Sequence, residues 1–279
     1  MPSWKFHNKW ANKFGIPYYI SEEMNKFIDL GDSEVYNMFV ESGMIDKGEK
    51  HDLKRIFRSK SVLESVINEI KMKYGENSIL YIKAFVLHYL LDKIRDYTRD
   101  FLKNEVIQKL SNKEEISLDK LKIYFEDPNY FSILVNNVAE NLIKWKFNHI
   151  NIVNLSEDIY DKVMMNIQYI IQDLYLSKDV KLEDIYEASK KESQKIIEER
   201  NKILELIDEY NNIIYLAMRY SNASFLKPIR KEELEDNDNL KEKIKEIKKV
   251  LGLIARRYNS RIPQWLADRS RSLLYLIKW

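Results

Sequence analysis

Hydrophobic positions along this chain recur every three or four residues, the spacing that places side chains on one face of an α-helix. Trp4, Trp10 and Phe14 follow this spacing in the first segment. Ser3 precedes them as an N-cap, and Gly15 ends the segment. Because the apolar spacing is helical throughout, the pattern predicts an all-α protein.

The same pattern predicts further helices, separated by polar or glycine-containing segments. Their approximate ranges are 21–40, 61–74, 77–110, 127–147, 156–176, 182–220 and 264–279. The helix over 77–110 carries a continuous apolar stripe, and Gly75 separates it from the helix before it. The polar segment 112–115 is predicted to be a linker.

Two long apolar stripes in the second half of the chain predict an antiparallel helical hairpin. The first stripe contains Ile196, Ile203, Ile207, Tyr210, Ile214 and Ala217, and the second contains Leu240, Ile244, Ile247, Leu251, Ile254 and Tyr258. Their coiled-coil-like spacing, with a loop at 222–237 between them, is typical of such a hairpin. We therefore predict an N-terminal helical bundle over 1–110 and a C-terminal helical domain over 111–279, built on this hairpin.

Composition narrows the class of protein further. The 279 residues are 45% hydrophobic and 32% charged, which is typical of a globular protein and argues against disorder. Six glycines and five prolines are too few for the frequent turns of an all-β fold. The absence of cysteine excludes disulfides, zinc fingers, thiol catalysis and iron–sulfur clusters.

Charge and hydropathy bear on partners and location. The net charge of +2 argues against a strongly basic polyanion-binding chain, although a local basic patch is compatible with it. No apolar run reaches the roughly 18–20 residues needed to cross a bilayer. We therefore expect a cytoplasmic protein with no membrane partner. The abundance of Lys and Glu without cysteine is also typical of a thermophile.

Candidate chemistry is concentrated in histidines and neighbouring carboxylates of the N-terminal bundle. His7 lies on the apolar face of the first helix, and His51 directly precedes Asp52. His88 lies one helical turn before Asp92, so the two share a face. Imidazole and carboxylate together suit Zn, Mn, Fe or Ni, and we predict that these side chains form one metal-binding pocket.

Each of these residues also has a purely structural interpretation. His7 could be a core histidine with one hydrogen bond, and Asp52 could be the N-cap of segment 53–57. His88 and Asp92 could form a structural hydrogen-bonded pair. The remaining histidine, His149, follows a polar stretch and is expected at the surface.

The order of a His, a His-Asp pair and a later Asp resembles the HD superfamily of metal-dependent phosphohydrolases. The opening residues 2–11, PSWKFHNKWA, are similar to the start of archaeal proteins of this type. The resemblance covers residues 1–110 and implies a helical domain whose metal ligands are the following residues. They are His7, His51, Asp52, Asp92 and, as an auxiliary ligand or phosphate contact, His88.

The resemblance also implies an activity and a cofactor. The cofactor is one or two divalent metals, among them Mn, Zn, Fe, Ni or Mg, which activate a water molecule for attack on phosphorus. Asp52 and Arg55 are the implied catalytic residues, Arg55 neutralising charge on the phosphoryl oxygens. The substrate is expected to be a nucleotide or a nucleic-acid phosphodiester.

The C-terminal end predicts a different kind of site. Five arginines fall there, interleaved with aromatic residues: Arg256, Arg257, Arg261, Arg269 and Arg271. Such a mixture suits nucleic-acid binding through phosphate contacts and base stacking. The alternative is an amphipathic helix whose arginines are solvated or paired with the acidic run 232–238, for example in a homodimer. On that interpretation the protein is a non-catalytic helical interaction or structural protein.

Overall fold

The computed structural model describes residues 2–30, 60–148, 154, 156–221, 226–229, 237–256 and 262–277. Every regular element in these ranges is a helix, so the all-α prediction is confirmed. The α-helices are α1 (Trp4–Lys13), α2 (Tyr18–Leu30), α3 (Lys60–Tyr74), α4 (Ser78–Ser111), α5 (Leu118–Glu126), α6 (Pro128–Asn148), α7 (Glu157–Met165), α8 (Ile167–Leu176), α9 (Leu182–Ser221), α10 (Asn237–Ala255) and α11 (Gln264–Leu276). Within these described ranges, no helix is long and apolar enough to cross a membrane.

The predicted start and end of the first helix are confirmed in atomic detail. The Ser3 hydroxyl accepts a hydrogen bond from the Phe6 amide at 3.3 Å, which caps the first turn of α1. Gly15 follows α1 with a φ of +83°, a left-handed conformation that glycine adopts without a Cβ clash. α1 therefore ends where the sequence indicates.

Two helical boundaries differ from the predictions. α5 lies between the predicted linker at 112–115 and the helix predicted from residue 127, in a segment for which no element was predicted, and the Ser117 hydroxyl caps it by accepting from the Lys120 amide at 3.4 Å. The single helix predicted over 156–176 is interrupted at Asn166, whose backbone leaves the helical region at φ −111° and ψ 8°. Its side-chain amide donates to the Lys162 carbonyl at 2.8 Å, an interaction that competes with the helical backbone.

The chain forms two compact units, Met1–Lys191 and Glu192–Trp279. Their division falls inside α9, whereas the sequence analysis placed a boundary after residue 110. Residue 110 lies within the first unit because α4 packs against α6, α7 and α8, which all follow it in the chain.

α4 is the central helix of the first unit. It contacts α1, α2, α3, α6, α7 and α8. Between Tyr81 and Leu91 every residue except Lys83 is buried. A helix surrounded in this way presents all of its faces to the protein interior. Polar residues on this part of α4 are therefore shielded from water.

The second unit has its own apolar core. Its helical members come from α9, α10 and α11: Ile203, Ile207, Tyr210, Ile213, Ile214, Ala217, Ile247, Leu251, Ile254, Leu266 and Leu273. Both predicted stripes thus contribute to one core, although their antiparallel pairing stays a prediction. Ile196 is an exception, because it is 37% exposed and does not belong to this core.

Candidate metal centre

A buried polar cluster lies where α1, α2 and α4 contact one another. α1 contributes His7, α2 contributes Asp29, and α4 contributes His88 and Asp92. The relative exposures of His7, His88 and Asp29 are 1%, 2% and 4%, which places them in the interior. The Asp92 side chain is 18% exposed, so it connects this cluster to the surface.

The four side chains approach one another at distances longer than hydrogen bonds. His7 Nε2 lies 3.6 Å from Asp92 Oδ1, and His88 Nε2 lies 3.5 Å from Asp92 Oδ2. His88 Nε2 is also 3.6 Å from Asp29 Oδ1. An N–H···O hydrogen bond normally spans about 2.7–3.2 Å, so none of these three approaches is a good hydrogen bond.

Polar atoms of the cluster are consequently left without hydrogen-bond partners. His7 Nε2, His88 Nε2, Asp29 Oδ1 and Asp92 Oδ1 are all buried and unsatisfied. Each buried polar group without a partner costs about 1–3 kcal/mol. Four such atoms in one cluster therefore need an explanation beyond packing.

The distances fit the edges of a metal coordination shell. Two ligand atoms about 2.1 Å from one ion, at a tetrahedral angle, lie about 3.4 Å apart. The separations of Asp92 from His7 and from His88, 3.6 and 3.5 Å, are close to this value. One ligand atom from each of His7, His88 and Asp92 also lies within 4.8 Å of the others. The residues present therefore fit a divalent ion with mixed nitrogen and oxygen ligands.

A chain of hydrogen bonds behind His88 fixes which ring nitrogen faces the cluster. The Ser21 hydroxyl and the Asn25 amide both donate to Asn8 Oδ1, at 2.6 and 2.9 Å. This orientation turns Asn25 Oδ1 towards His88 Nδ1, which lies 2.7 Å away. Nδ1 is therefore the donor, and in the neutral ring Nε2 keeps its lone pair. Metal-binding histidines commonly have their second nitrogen held in this way.

Asp29 is held by a second contact, with α1. The indole N–H of Trp4 donates to Asp29 Oδ2 at 2.6 Å. Asp29 Oδ1, the other carboxylate oxygen, faces His88 Nε2 and has no hydrogen-bond partner. One oxygen is thus used for positioning while the other faces the cluster.

The pKa shifts in the cluster show that its carboxylates favour a positive charge beside them. Burial lowers the pKa of His7, and the neighbouring His88 lowers it further. Burial acts to lower the pKa of His88 as well, but the carboxylates of Asp29 and Asp92 outweigh it and raise this pKa to about 9. Burial acts to raise the pKa of Asp92, but the two imidazoles hold it well below its usual range.

Of the five predicted metal ligands, the structure brings His7, His88 and Asp92 together. His51 and Asp52 lie outside the described residues, as do Arg55 and His149. The sequence analysis did not identify Asp29 or the polar chain of Ser21 and Asn25. The sequence does contain a signal for them, because Ser21, Asn25 and Asp29 follow one another at intervals of four residues on α2. They therefore share one face of this helix.

The C-terminal arginines are only partly described, since Arg257 and Arg261 lie outside the described residues. Arg269 forms a bidentate pair with Glu209, at 2.5 and 2.8 Å. Arg271 pairs with Asp268 and donates to the Ala255 carbonyl at 2.8 Å. Arg256 is exposed. The guanidinium groups of Arg269 and Arg271 thus already have partners within the second unit. A row of phosphate-binding arginines would instead have free guanidinium groups.

No family model, no curated protein and no solved structure matches this chain. The function is therefore inferred from the residues of the cluster and their geometry.

Proposed function

We propose that the cluster of His7, His88 and Asp92 binds a divalent metal ion, and that the protein is a metal-dependent phosphohydrolase or nuclease. The expected substrate is a nucleotide or a nucleic-acid phosphodiester. One observation supports this proposal above the others: buried, unsatisfied nitrogen and oxygen atoms face one another at ligand-to-ligand spacing. The order of the residues in the chain, which resembles that of HD phosphohydrolases, supports the choice of reaction.

Charge balance favours a metal over a purely structural hydrogen-bonded cluster. Without an ion, Asp29 and Asp92 bring two negative charges into the interior, and protonated His88 offsets one of them. A divalent ion with two neutral imidazoles balances both carboxylates. Buried charges are stable in proteins only when they are paired or bind a metal.

When bound, a divalent metal supplies Lewis acidity, which polarises a phosphoryl oxygen and makes water a nucleophile at neutral pH. The chain's own residues provide the remaining functions. His7 and His88 present nitrogen ligands from two helices, and Asp92, the most exposed member, faces the side that solvent reaches. His51, Asp52 and Arg55 are the proposed further ligands and phosphate contact.

The experiment is metal analysis combined with hydrolysis assays. Tag-free protein is stripped with chelator, reloaded with Mn, Zn, Fe, Ni or Mg, and assayed on a model phosphodiester and on nucleotides. We expect hydrolysis with at least one metal, and a loss of more than about 100-fold in kcat/KM for His51→Ala and Asp92→Asn. Asp173→Asn is the matched control. Asp173 is a part-buried carboxylate like Asp92, but it lies outside the cluster and accepts from the indole N–H of Trp10 at 3.0 Å.

A second candidate function is a helical interaction or structural protein whose metal serves stability alone. The depth of the site favours it, since His7 and His88 are at most 2% exposed and structural metal sites are closed to solvent. Such a protein could act as a homodimer or bind nucleic acid through Arg256 and its neighbours.

The same preparation separates the two functions. Metal binding that raises the melting temperature without hydrolysis of any phosphate ester would support the structural role. Absence of bound metal at every pH near neutrality would contradict both roles for the cluster.

A further inference from the structure

We propose that a cleft between α4 and α6 binds an aliphatic diamine or polyamine. The cleft belongs to the first unit and has a volume of about 410 Å³. None of its lining residues belongs to the metal centre. The proposal is therefore independent of the proposed metal site and of the reaction assigned to it.

Two packed helices build the walls of this cleft. Tyr97, Phe101 and Glu105 line it from α4, and their spacing of four residues places them on one face of that helix. Asn137 and Asn141, which are also four residues apart, line it from α6. Because α4 and α6 contact each other directly, these two rows of side chains lie on either side of one gap.

The charges of the lining favour a cation. Its two charged side chains, Asp100 and Glu105, are both acidic. Arg99 and Lys103 lie on the same turns of α4 but do not line the cleft. The remaining polar side chains of the lining are four amides and one tyrosine. The lining therefore carries two negative charges and no positive one.

Two hydrogen bonds leave acceptor atoms available to a ligand. The side-chain amide of Asn141 donates to the carbonyl oxygen and to Oδ1 of Asn137, at 2.9 and 3.1 Å. Asn141 Oδ1 remains as an acceptor. The Tyr124 hydroxyl donates to Glu105 Oε2 at 2.5 Å, which orients this carboxylate and leaves Oε1 for a ligand. An ammonium group has three donors and no acceptor, so it matches such a lining.

The spacing of the carboxylates favours an extended cation over a metal ion. Asp100 and Glu105 are five residues apart, which corresponds to about 7.5 Å along the helix axis. In the described part of the chain, neither belongs to a group of side chains close enough to hold a metal. The rings of Tyr97 and Phe101 offer apolar surface to methylene groups and a π face to an ammonium group. A methylene chain with an ammonium group at each end matches these features together.

The experiment is calorimetric titration of the chelator-treated full chain with putrescine and spermidine at physiological ionic strength. We expect saturable binding at one ligand per chain. Butanediol has the same carbon chain as putrescine but no charge, and we expect no binding. Butylamine has a single ammonium group and should bind about tenfold more weakly than putrescine.

Variants of the two carboxylates locate the binding. Glu105→Gln and Asp100→Asn each remove one charge at nearly constant size, and Gln at position 105 keeps an oxygen for the Tyr124 hydroxyl. We expect each variant to bind putrescine about tenfold more weakly than the natural chain. Asp119→Asn is the matched control, because it removes the same charge from an exposed carboxylate of α5 outside the cleft. Its affinity for putrescine should equal that of the natural chain.

Three outcomes would overturn the proposal. The first is absence of putrescine and spermidine binding by the natural chain. The second is equal affinity of the Glu105→Gln and Asp119→Asn variants, because binding would then follow net charge and not the cleft. The third is butanediol binding as tight as that of putrescine, which would assign the cleft to neutral polyols. The comparison of ligands uses the natural chain alone, so it decides the proposal even if a variant fails to fold.

Discussion

The imidazole rings of His7 and His88 lie face to face, with centroids 4.1 Å apart and an interplanar angle of 6°. Two protonated rings at this separation would repel each other strongly in a buried site. The pKa directions agree with this geometry, because burial and His88 lower the pKa of His7, while that of His88 is raised to about 9. Without metal near neutral pH, His88 is therefore the ring that carries the extra proton.

This arrangement predicts that metal binding releases a proton. At pH 7.5 His88 has to lose about one proton before its Nε2 can bind an ion. Calorimetric titration with Zn(II) in buffers of different ionisation enthalpy measures this number directly. We expect the observed enthalpy to vary linearly with the ionisation enthalpy of the buffer. A slope of zero would contradict the assignment of the proton to His88.

The hydrogen-bond chain behind His88 predicts a loss of affinity without the loss of any ligand. Asn25→Leu removes the acceptor of His88 Nδ1 and one of the two donors to Asn8. We expect metal affinity to fall about 10–100-fold, because the ring orientation is no longer fixed. The free energy of unfolding should fall by about 1–3 kcal/mol, because buried groups lose partners.

Asn141→Leu is the control for that substitution. Asn141 is partly buried, and its amide donates to the Asn137 carbonyl one turn earlier on α6, away from the cluster. Chemical denaturation and metal titration of both variants give the comparison. Equal metal affinity in the two variants would show that Asn25 does not position His88.

The core of the second unit predicts a large difference between two isoleucines of one helix. Ile207 is 1% exposed, whereas Ile196 is 37% exposed. Ile207→Asp should destabilise the protein by about 3–5 kcal/mol, because it buries a charge among apolar side chains. Ile196→Asp should change stability by less than about 1 kcal/mol. Thermal or urea unfolding of both variants measures this, and similar losses would contradict the core assignment.

The pair of Arg269 and Glu209 predicts a small dependence of stability on pH. The guanidinium of Arg269 lowers the pKa of Glu209 below its usual value of 4.5. The stabilising contribution of the pair is therefore present above pH 4.5. It is lost as the pH falls through the lowered pKa of Glu209. Since the two side chains are 41% and 34% exposed, the effect is at most about 1 kcal/mol.

Arg269→Gln tests this pair. The variant should be slightly less stable than the natural chain at pH 7, and the difference should shrink steadily as the pH falls below 4.5. Urea unfolding over a series of pH values measures this trend. A difference that does not change with pH would assign the role of Arg269 to packing of its side chain.

The parts of the site that could be predicted from the sequence are those fixed by helical periodicity. His88 and Asp92 share a face because they are four residues apart, and His7 faces inwards because Trp10 and Phe6 do. The all-α fold followed from the same apolar spacing. These inferences need only the geometry of a single helix.

The remaining parts depend on contacts between helices, which periodicity does not specify. Asp29 looks like an ordinary polar residue near the end of a helix until Trp4 and His88 are brought beside it. The division inside α9 is similar, because a long amphipathic helix can carry two cores without any change in its pattern. For the same reason Ile196 follows the spacing of its stripe and yet lies outside the core.

The nearly complete exclusion of His7 and His88 from water has a kinetic consequence. If the metal serves stability alone, a chelator reaches an ion bound by these rings only after α1 separates from α2 and α4. Metal loss then follows the opening rate of α1, a helix of 10 residues that is too short to be stable alone. At high chelator concentration the rate becomes independent of that concentration. The amide protons of α1 exchange with solvent through the same opening step, and they do so more slowly when the ion is present.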